Sequence, residues 1–489
     1  MLTIYEKIIN NFQKSYGVQK FTHDTEKRYQ SHVTPLKHML LNNIILRNFR
    51  NYVDCEVSFS KPVNLIIGGN AQGKTSLLEA IYFLCTAESH RATRDGELIR
   101  HNEMGFYLKG TLGTNNNDMM SLEATKRTRG QFKLKKNGVL QTKRSEWIGQ
   151  FNAVLFSPES LVLVKGGPAE RRRFLDLLIS QIDSIYLKNL QEYRLVLRQR
   201  NELLKQIRTT LVDAAQLDAW DKLLIAHGTA IIIKRLEIFY QLKDYAMQNH
   251  QKLTGGKESI ALTYCSSLVR SNMSRHNAHS TTDKDTGKLE EPEIGYLQTK
   301  TETEIEKDFD AALNASRGAD LQRGTTLVGP HRDDFLIELE NASATPSPDP
   351  ESENCLKVAG AEETEIDAEQ SESQNPFPTS EIGTFREGAR AYGSQGQQRT
   401  IALALKLAEL ELIRAITGQD PIVLLDDVTS ELDYKRTEYL LNVLQNLSAQ
   451  TFITATHAEP LVHHLNQPNV LTVENAQIDQ ASKVILNDE

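Results

Sequence analysis

Eight consecutive residues, Gly68-Gly69-Asn70-Ala71-Gln72-Gly73-Lys74-Thr75, constrain this chain more than any other stretch, because they spell G-x-x-x-x-G-K-T. They follow the apolar run Val63 to Ile67 and precede a segment in which Leu77, Leu78, Ile81 and Leu84 recur at helical spacing. A strand, a glycine-rich turn and a helix in that order can wrap an anion. Glycines let backbone N–H groups turn inward around phosphate oxygens, the helix N-terminus adds a favourable dipole, and Lys74 supplies a compact positive charge. Thr75 offers a hydroxyl to Mg²⁺. From residue frequencies alone the pattern arises in roughly one or two chains per hundred of this length. The strand before it and the helix after it make a chance match a poor account.

A second run, Pro421-Ile422-Val423-Leu424-Leu425, reads as a buried strand and ends in Asp426-Asp427. A carboxylate at such a strand end can reach Mg²⁺ held by phosphates, and Asp426 is expected in that role. Asp427 projects differently and is placed to orient or deprotonate an attacking water. In isolation an Asp-Asp pair is more often a turn or a helix cap, and the phosphate loop reverses that balance. Third comes Tyr392-Gly393-Ser394-Gln395-Gly396-Gln397-Gln398-Arg399, opening a helix with Ile401, Leu403, Leu405 and Leu410. Ser394 and Gly396 at a helix start make a phosphate-sized anion site, although alone they would read as a flexible loop with a cap. The order phosphate loop, Ser-Gly loop, acidic strand end is that of ABC-type ATPases, in which the Ser and Gly complete the site of a second protomer. ATP with Mg²⁺ is the cofactor expected. His457, after the apolar run Phe452 to Ala455, stays open between a γ-phosphate contact and a surface histidine.

The chain has 489 residues, enough for two or three domains. No apolar stretch approaches the ~20 residues of a membrane helix, and Met1 to Tyr16 lacks the continuous apolar core of a secretory signal. A cytoplasmic location is expected. Cys55, Cys85, Cys265 and Cys355 are scattered with no C-x-x-C pair, which argues against a disulfide framework or a zinc ribbon. The net charge of -8 is concentrated: Asn341 to Glu381 carries ten acidic residues and one basic, leaving the rest at +1. That stretch, rich in Ser, Pro and Glu, reads as a disordered acidic insertion.

Composition and periodicity divide the chain into an N-terminal extension (1–38, with Met39 a plausible alternative start) and an α/β first half (39–165). A helical arm lobe (166–324) and an α/β second half (325–489) carrying the insertion at 341–381 follow. Within the lobe, Tyr186, Leu190, Tyr193, Leu197, Leu204, Ile207 and Leu211 form a stripe that Arg200 interrupts, and Trp220 to Met247 is the expected return helix. Core packing and a short antiparallel arm both fit this stripe. Ser271 to Glu293 reads as a polar loop. The expected class is therefore α/β, a P-loop head split in sequence by a mainly helical second lobe. For nucleic acid, Lys126, Arg127, Arg129, Lys133, Lys135, Lys136, Lys143 and Arg144 have no acidic residue among them, and Asn137-Gly138 signals a hairpin between two strand-like arms. Such a hairpin can lie along phosphates without reading sequence, or can be a solvated edge protected by lysines.

These motifs, with Leu46-Arg47-Asn48-Phe49-Arg50-Asn51-Tyr52, Ser89-His90-Arg91, Lys165-Gly166-Gly167-Pro168-Ala169-Glu170-Arg171-Arg172-Arg173-Phe174-Leu175-Asp176, Gly329-Pro330-His331-Arg332-Asp333-Asp334 and Leu424 to Asp433, resemble the RecF family of bacterial DNA repair ATPases from about Met39 to His457. The resemblance implies an ABC-type head, ATP-dependent homodimerisation, binding to double-stranded or gapped DNA, slow DNA-dependent ATP hydrolysis and work with the RecO and RecR mediators in recombinational repair and replication restart. It places Ser157-Pro158-Glu159 where other ABC proteins carry a metal-contacting Gln, so no residue takes that role. A structural ATPase of the SMC kind would share the nucleotide motifs. The 320 residues between Lys74 and Ser394 are too few for long paired coils, and no C-x-x-C hook is present. A transporter motor would place its Ser-Gly loop nearer the phosphate loop and would have no use for the arm.

Overall fold

The computed structural model describes residues 39–92, 94–114, 119–130, 132–142, 144–209, 213–269, 297, 299–341, 386–427, 432–458, 461, 463, 465 and 467–480. The extension 1–38, the acidic insertion beyond Asn341, the polar loop Ser271 to Glu293, Leu211 and Lys143 lie outside them. Asn341 itself was grouped with the insertion from its composition. It instead closes a strand, paired with Glu258.

Among the described residues, three sheets organise the fold. In the first, β1 (Met39–Phe49) pairs antiparallel with β2 (Tyr52–Ser58) and with β4 (Gly105–Thr114). Next come β5 (Met119–Arg127), β6 (Lys133–Lys136) and β7 (Val139–Gln141), giving the order β2-β1-β4-β5-β6-β7. The second sheet draws on both ends of the chain. It sets β3 (Val63–Ile67), β8 (Ala153–Phe156), β12 (Ile422–Asp426), β13 (Thr451–Ala455) and β14 (Asn469–Glu474) parallel, with β15 (Gln477–Gln480) antiparallel at one edge, in the order β15-β14-β3-β13-β12-β8. Its central strands are mostly apolar because parallel strands are covered on both faces, with Asn64 and Thr454 among the buried polar exceptions. α1 (Lys74–Thr86) lies between the two sheets. Leu77, Ile81 and Leu84 share one core with Leu46 and Leu108 of the first sheet and with Ile66, Leu424 and Phe452 of the second.

The helical segment contributes α2 (Pro168–Ile182), α3 (Ser184–Thr209), α4 (Leu217–Thr254) and α5 (Glu302–Arg323). A third sheet, β11-β10-β9, joins β9 (Glu258–Cys265) to β10 (Asp334–Asn341) and β11 (Arg386–Gly388). α6 (Gln395–Thr417) packs on α4, and α7 (Tyr434–Gln445) precedes β13. α3 and α4 run against each other as the expected arm and return, but the return is longer than Trp220 to Met247, ending where Gly255 adopts the left-handed conformation. At 26 and 38 residues they span only about 39 and 57 Å.

Arg200 does not interrupt the α3 stripe. Its side chain is fully buried on the inward face, donating to Asp221 (2.6 Å), Asp320 (2.8 Å) and the Thr326 hydroxyl (2.7 Å). One guanidinium thus ties α3, α4 and the end of α5 together, and burial raises the Asp320 carboxyl while Arg200 opposes that shift. A similar knot links the two motifs flanking the lobe: Arg171 of α2 donates to both Asp334 oxygens at 2.8 Å, and Arg235 bonds Asp176 and the Pro330 carbonyl. Arg200→Ala leaves the fully buried Asp320 without its cation and Asp221 with only Arg317, 3.9 Å away, and is expected to destabilise the protein by about 3–5 kcal/mol. Chemical denaturation measures this, and a loss below about 1 kcal/mol would show that the ion pairs add little.

Candidate functional site

The phosphate loop leaves β3 at Gly68, whose φ of 154° and position close to the Val473 carbonyl exclude a side chain: a Cβ there would lie 2.3 Å from that oxygen. Gly73, at φ 122°, is equally confined, since a Cβ would lie 2.9 Å from the Asn51 amide and 3.0 Å from the Tyr52 hydroxyl. Both sheets hold the loop. The Gln72 carbonyl accepts from Ala476 N (2.9 Å) and Asn51 Nδ2 (3.3 Å), the Gln72 side chain accepts from Asn475 N (2.5 Å), and the Tyr52 hydroxyl donates to the Gly73 carbonyl (3.1 Å). Lys74 opens α1 and is buried, its Nζ donating to the Gly68 (2.6 Å) and Gly69 (2.8 Å) carbonyls. Burial lowers its pKa, against which the Asp427 and Asp426 carboxylates act. Asn70 and Ala71 line the cleft beside it.

Strand register brings the acidic pair to this loop. Asp426 sits opposite Thr454, and Thr454 opposite Ile66, so the C-terminal ends of β12, β13 and β3 lie side by side. Thr75 Oγ1 donates to Asp426 Oδ1 at 2.9 Å, and Thr454 Oγ1 donates to the same oxygen at 2.8 Å while accepting from Asp427 N at 2.9 Å. Burial raises the Asp426 pKa, an environment in which an adjacent cation would hold the carboxylate ionised. A hydroxyl and a carboxylate within hydrogen-bond distance are the all-oxygen donor set that Mg²⁺ prefers. Asp427 takes a left-handed backbone, φ 50°, and faces the cleft.

The cleft measures about 1010 Å³. Arg50, Arg91, Thr454 and the segment from Gly96 to Glu103 line it, and sequence reasoning assigned none of these a role. Thr454 carries a readable signal, a hydroxyl at the end of a wholly buried strand. Arg50 and Arg91 lie inside quoted motifs, but only the fold brings them here. Arg50 grips the fully buried Glu79 of α1 at 2.6 and 2.7 Å, and Arg91 stands 3.6 Å from Glu159 of the Ser157-Pro158-Glu159 segment.

The RecF/RecN/SMC N-terminal domain model matches residues 40–480. The DNA replication and repair protein RecF of Natranaerobius thermophilus is 36% identical over 422 residues, covering 86% of this chain and 92% of that protein. RecF of Bacillus thuringiensis is 36% identical over 445 residues, 90% of this chain and 98% of its own. This chain belongs to the RecF family. Among solved structures, the recombination mediator protein RecF with ATP, in the RecFOR pathway, superposes with a TM-score of 0.70 at 30% identity, covering 91% of this chain and 99% of that one. The fold is thus the ABC-type ATPase head that the motif order implied.

In this RecF family member, Ser394 and Gly396 do not line the cleft formed by their own chain's phosphate loop. Ser394 caps α6, its Oγ accepting from Gln397 N (3.2 Å) while the Gln397 side chain accepts from Ser394 N (2.8 Å) and donates to Glu258 (3.0 Å). His457 is exposed. The basic hairpin forms as expected, with Asn137 and Gly138 at φ 50° and 78° in the turn. Its cations are not equivalent: Lys136 is drawn to Gln150 (2.6 Å) and Arg144 lies 3.8 Å from Glu88, while Lys133 is exposed.

Lys74→Ala removes the charge facing the phosphates without altering the loop's glycines. Nucleotide affinity is expected to fall at least tenfold, about 1.4 kcal/mol, in a fluorescent-nucleotide titration; an unchanged affinity contradicts the assignment. Asp427→Asn keeps the shape of the side chain but cannot accept the water's proton. Binding should persist while turnover falls by about 10²-fold or more, and wild-type phosphate release would move the base elsewhere.

Proposed function

We propose that this chain is an ATP-switched DNA-binding protein of recombinational repair and replication restart, whose ATP-bound dimer holds double-stranded or gapped DNA and whose slow, DNA-dependent hydrolysis releases it. The observation that carries this reading is the separation of its two half-sites. Lys74, Thr75, Asp426 and Asp427 converge on one cleft, whereas the capped helix start at Ser394 and Gly396 stands apart from it and is open to another molecule's phosphate. A second copy supplies the complement.

Each residue then has one task. Backbone N–H groups from Gly68 to Thr75 and the Lys74 ammonium bind the β- and γ-phosphates. Thr75 and Asp426 hold Mg²⁺, which when bound supplies charge neutralisation on those phosphate oxygens. Asp427 orients the water and takes its proton as it attacks phosphorus. Its carboxylate reaches one methylene less far than a Glu would, which suits slow turnover. Ser394 and the α6 N-terminus of the partner close over the γ-phosphate. Hydrolysis removes the shared ligand, and the dimer loosens. The exposed Lys133 and its neighbour Lys135 contact DNA phosphates without reading bases. The similar solved RecF is described as a recombination mediator of the RecFOR pathway, which supports RecO and RecR as partners here. A purely structural SMC-like role fits less well, because α3 and α4 are too short to form long paired coils.

The test is Ser394→Arg, which puts a long side chain where the partner's nucleotide must approach. Loss of the cap costs about 1 kcal/mol, too little to unfold a helix buried along most of its length. Sedimentation with and without ATP should show a monomer that binds nucleotide but does not dimerise with ATP, and the part of the ATP-dependent gain in DNA affinity that needs the dimer should be lost. A variant that still dimerises refutes the shared site.

A further inference from the structure

Glu97 and Ile99 to Glu103 form part of the cleft wall, and segment 97–104 is fastened on both edges. On the inner edge Arg50 N donates to the Leu98 carbonyl (2.9 Å), Arg50 Nη1 to the Glu97 carbonyl (2.9 Å), and Arg100 N to the Asn48 carbonyl (2.8 Å). The same Arg50 holds Glu79 of α1, so this edge is joined to the helix that begins with Lys74. On the outer edge Thr128 N donates to the Met104 carbonyl (2.9 Å) and the Thr128 hydroxyl to the Glu103 carbonyl (3.4 Å). Thr128 itself lines the cleft.

On either side of Thr128 in sequence stand Arg127 and Arg129. Both are exposed and neither makes an ion pair among the described residues. Lys126 closes the turn onto the Gly130 carbonyl (2.6 Å), its ammonium 5.1 Å from the Phe132 ring. Two guanidinium forks on a short, closed turn suit the oxygens of a sugar-phosphate backbone, which they can grip bidentately. The turn is therefore a cationic contact whose central residue belongs to the nucleotide site.

We propose that the turn 127–130 is a DNA-backbone contact that couples DNA to nucleotide within one chain. This rests on the ATP-switched reading above and deepens it. A phosphate held by Arg127 and Arg129 fixes the turn, the turn fixes segment 97–104 through Thr128, and the ordered wall binds nucleotide more tightly. The sign separates ordering from through-space repulsion; the ATP-bound dimer proposed above gives the same sign, and the arginine variants separate the two. Through-space repulsion between DNA and the triphosphate would weaken nucleotide binding, whereas ordering of the wall strengthens it. Linkage then requires nucleotide to tighten DNA by the same factor.

The experiment measures the Kd of the full chain for a fluorescent, non-hydrolysable ATP analogue, with and without duplex DNA, at fixed salt and protein concentration. DNA binding is followed by anisotropy to confirm saturation. Wild-type protein is expected to bind the analogue about fivefold or more tightly with DNA, the lower end of usual coupling. Arg127→Glu with Arg129→Glu should lower that ratio at saturating DNA to the part that ATP-dependent dimerisation contributes, and Arg127→Gln with Arg129→Gln should reduce it without charge reversal. Lys133→Glu with Lys135→Glu should need more DNA yet reach the wild-type ratio. Arginine variants that keep the full ratio overturn the inference and leave the ATP-switched reading standing. So does a lysine variant that loses the plateau, because the coupling would then belong to the hairpin arms. A wild type whose nucleotide affinity ignores or falls with saturating DNA overturns both this inference and, by the same linkage, the ATP-switched reading beneath it, as does one that binds no DNA.

Discussion

The contact between Thr75 and Asp426 joins residues 351 positions apart, and the geometry of the candidate site depends on it. It exists only because β12 and β3 flank the same strand, β13, in parallel register, with Thr454 between them. Sliding β12 by one residue would turn Asp426 to the other face of the sheet and replace it with an aliphatic side chain. Ile422 to Leu425 are aliphatic and buried throughout, which keeps β12 in the middle of the sheet, while the ladders to β13 and β8 and the Thr75 and Thr454 bonds to Asp426 mark its register. Tertiary pairing thus places a carboxylate. Nothing local to the phosphate loop or to the acidic pair could do it.

Around this contact the fold builds rigidity from buried ions. Arg50–Glu79, Arg171–Asp334, Arg200–Asp320 and Arg235–Asp176 each bond elements far apart in sequence. Pairs of this kind add little net stability relative to an apolar core, but breaking one is expensive. Their effect is to make alternative packings costly. The helical lobe interrupts the chain between two halves of one sheet, and the knot of α2 with β10 ties a helix downstream of β8 to the third sheet. The ATP switch proposed above would need such joints to be stiff.

Much of this was legible in the chain itself. The apolar runs Val63 to Ile67 and Ala153 to Phe156 are strands with those bounds, α1 buries the stripe read for it, and Asn137-Gly138 makes its hairpin. These features declare themselves through local periodicity and turn chemistry. Arg200 was misread because a charge in an apolar stripe looks like an interruption, and its partners Asp221 and Asp320 lie 21 and 120 residues away. Thr454, Arg50 and Arg91 were not assigned for the same reason: what gives each a role is a neighbour supplied by topology. Asn341 was absorbed into an acidic composition although its backbone pairs in a strand. Composition describes a window, whereas pairing depends on a single residue.

The backbone around the cleft shows where the fold spends stability. Asn48, Arg50, Ala71, Asn102 and Asp427 all adopt positive φ without being glycine, and Asn475 and Ala476 do so where they clamp Gln72. Each left-handed residue of this kind costs on the order of 1 kcal/mol, so their concentration at one site needs compensation nearby. The compensation is visible: Arg50 is fixed by Glu79 and by two carbonyl and amide bonds, and Asp427 by the Thr454 hydroxyl. The strain turns the backbone so that Arg50 and Asp427 face one cavity from opposite sheets. A glycine at either position would relieve the backbone and lose the side chain that the conformation is there to present.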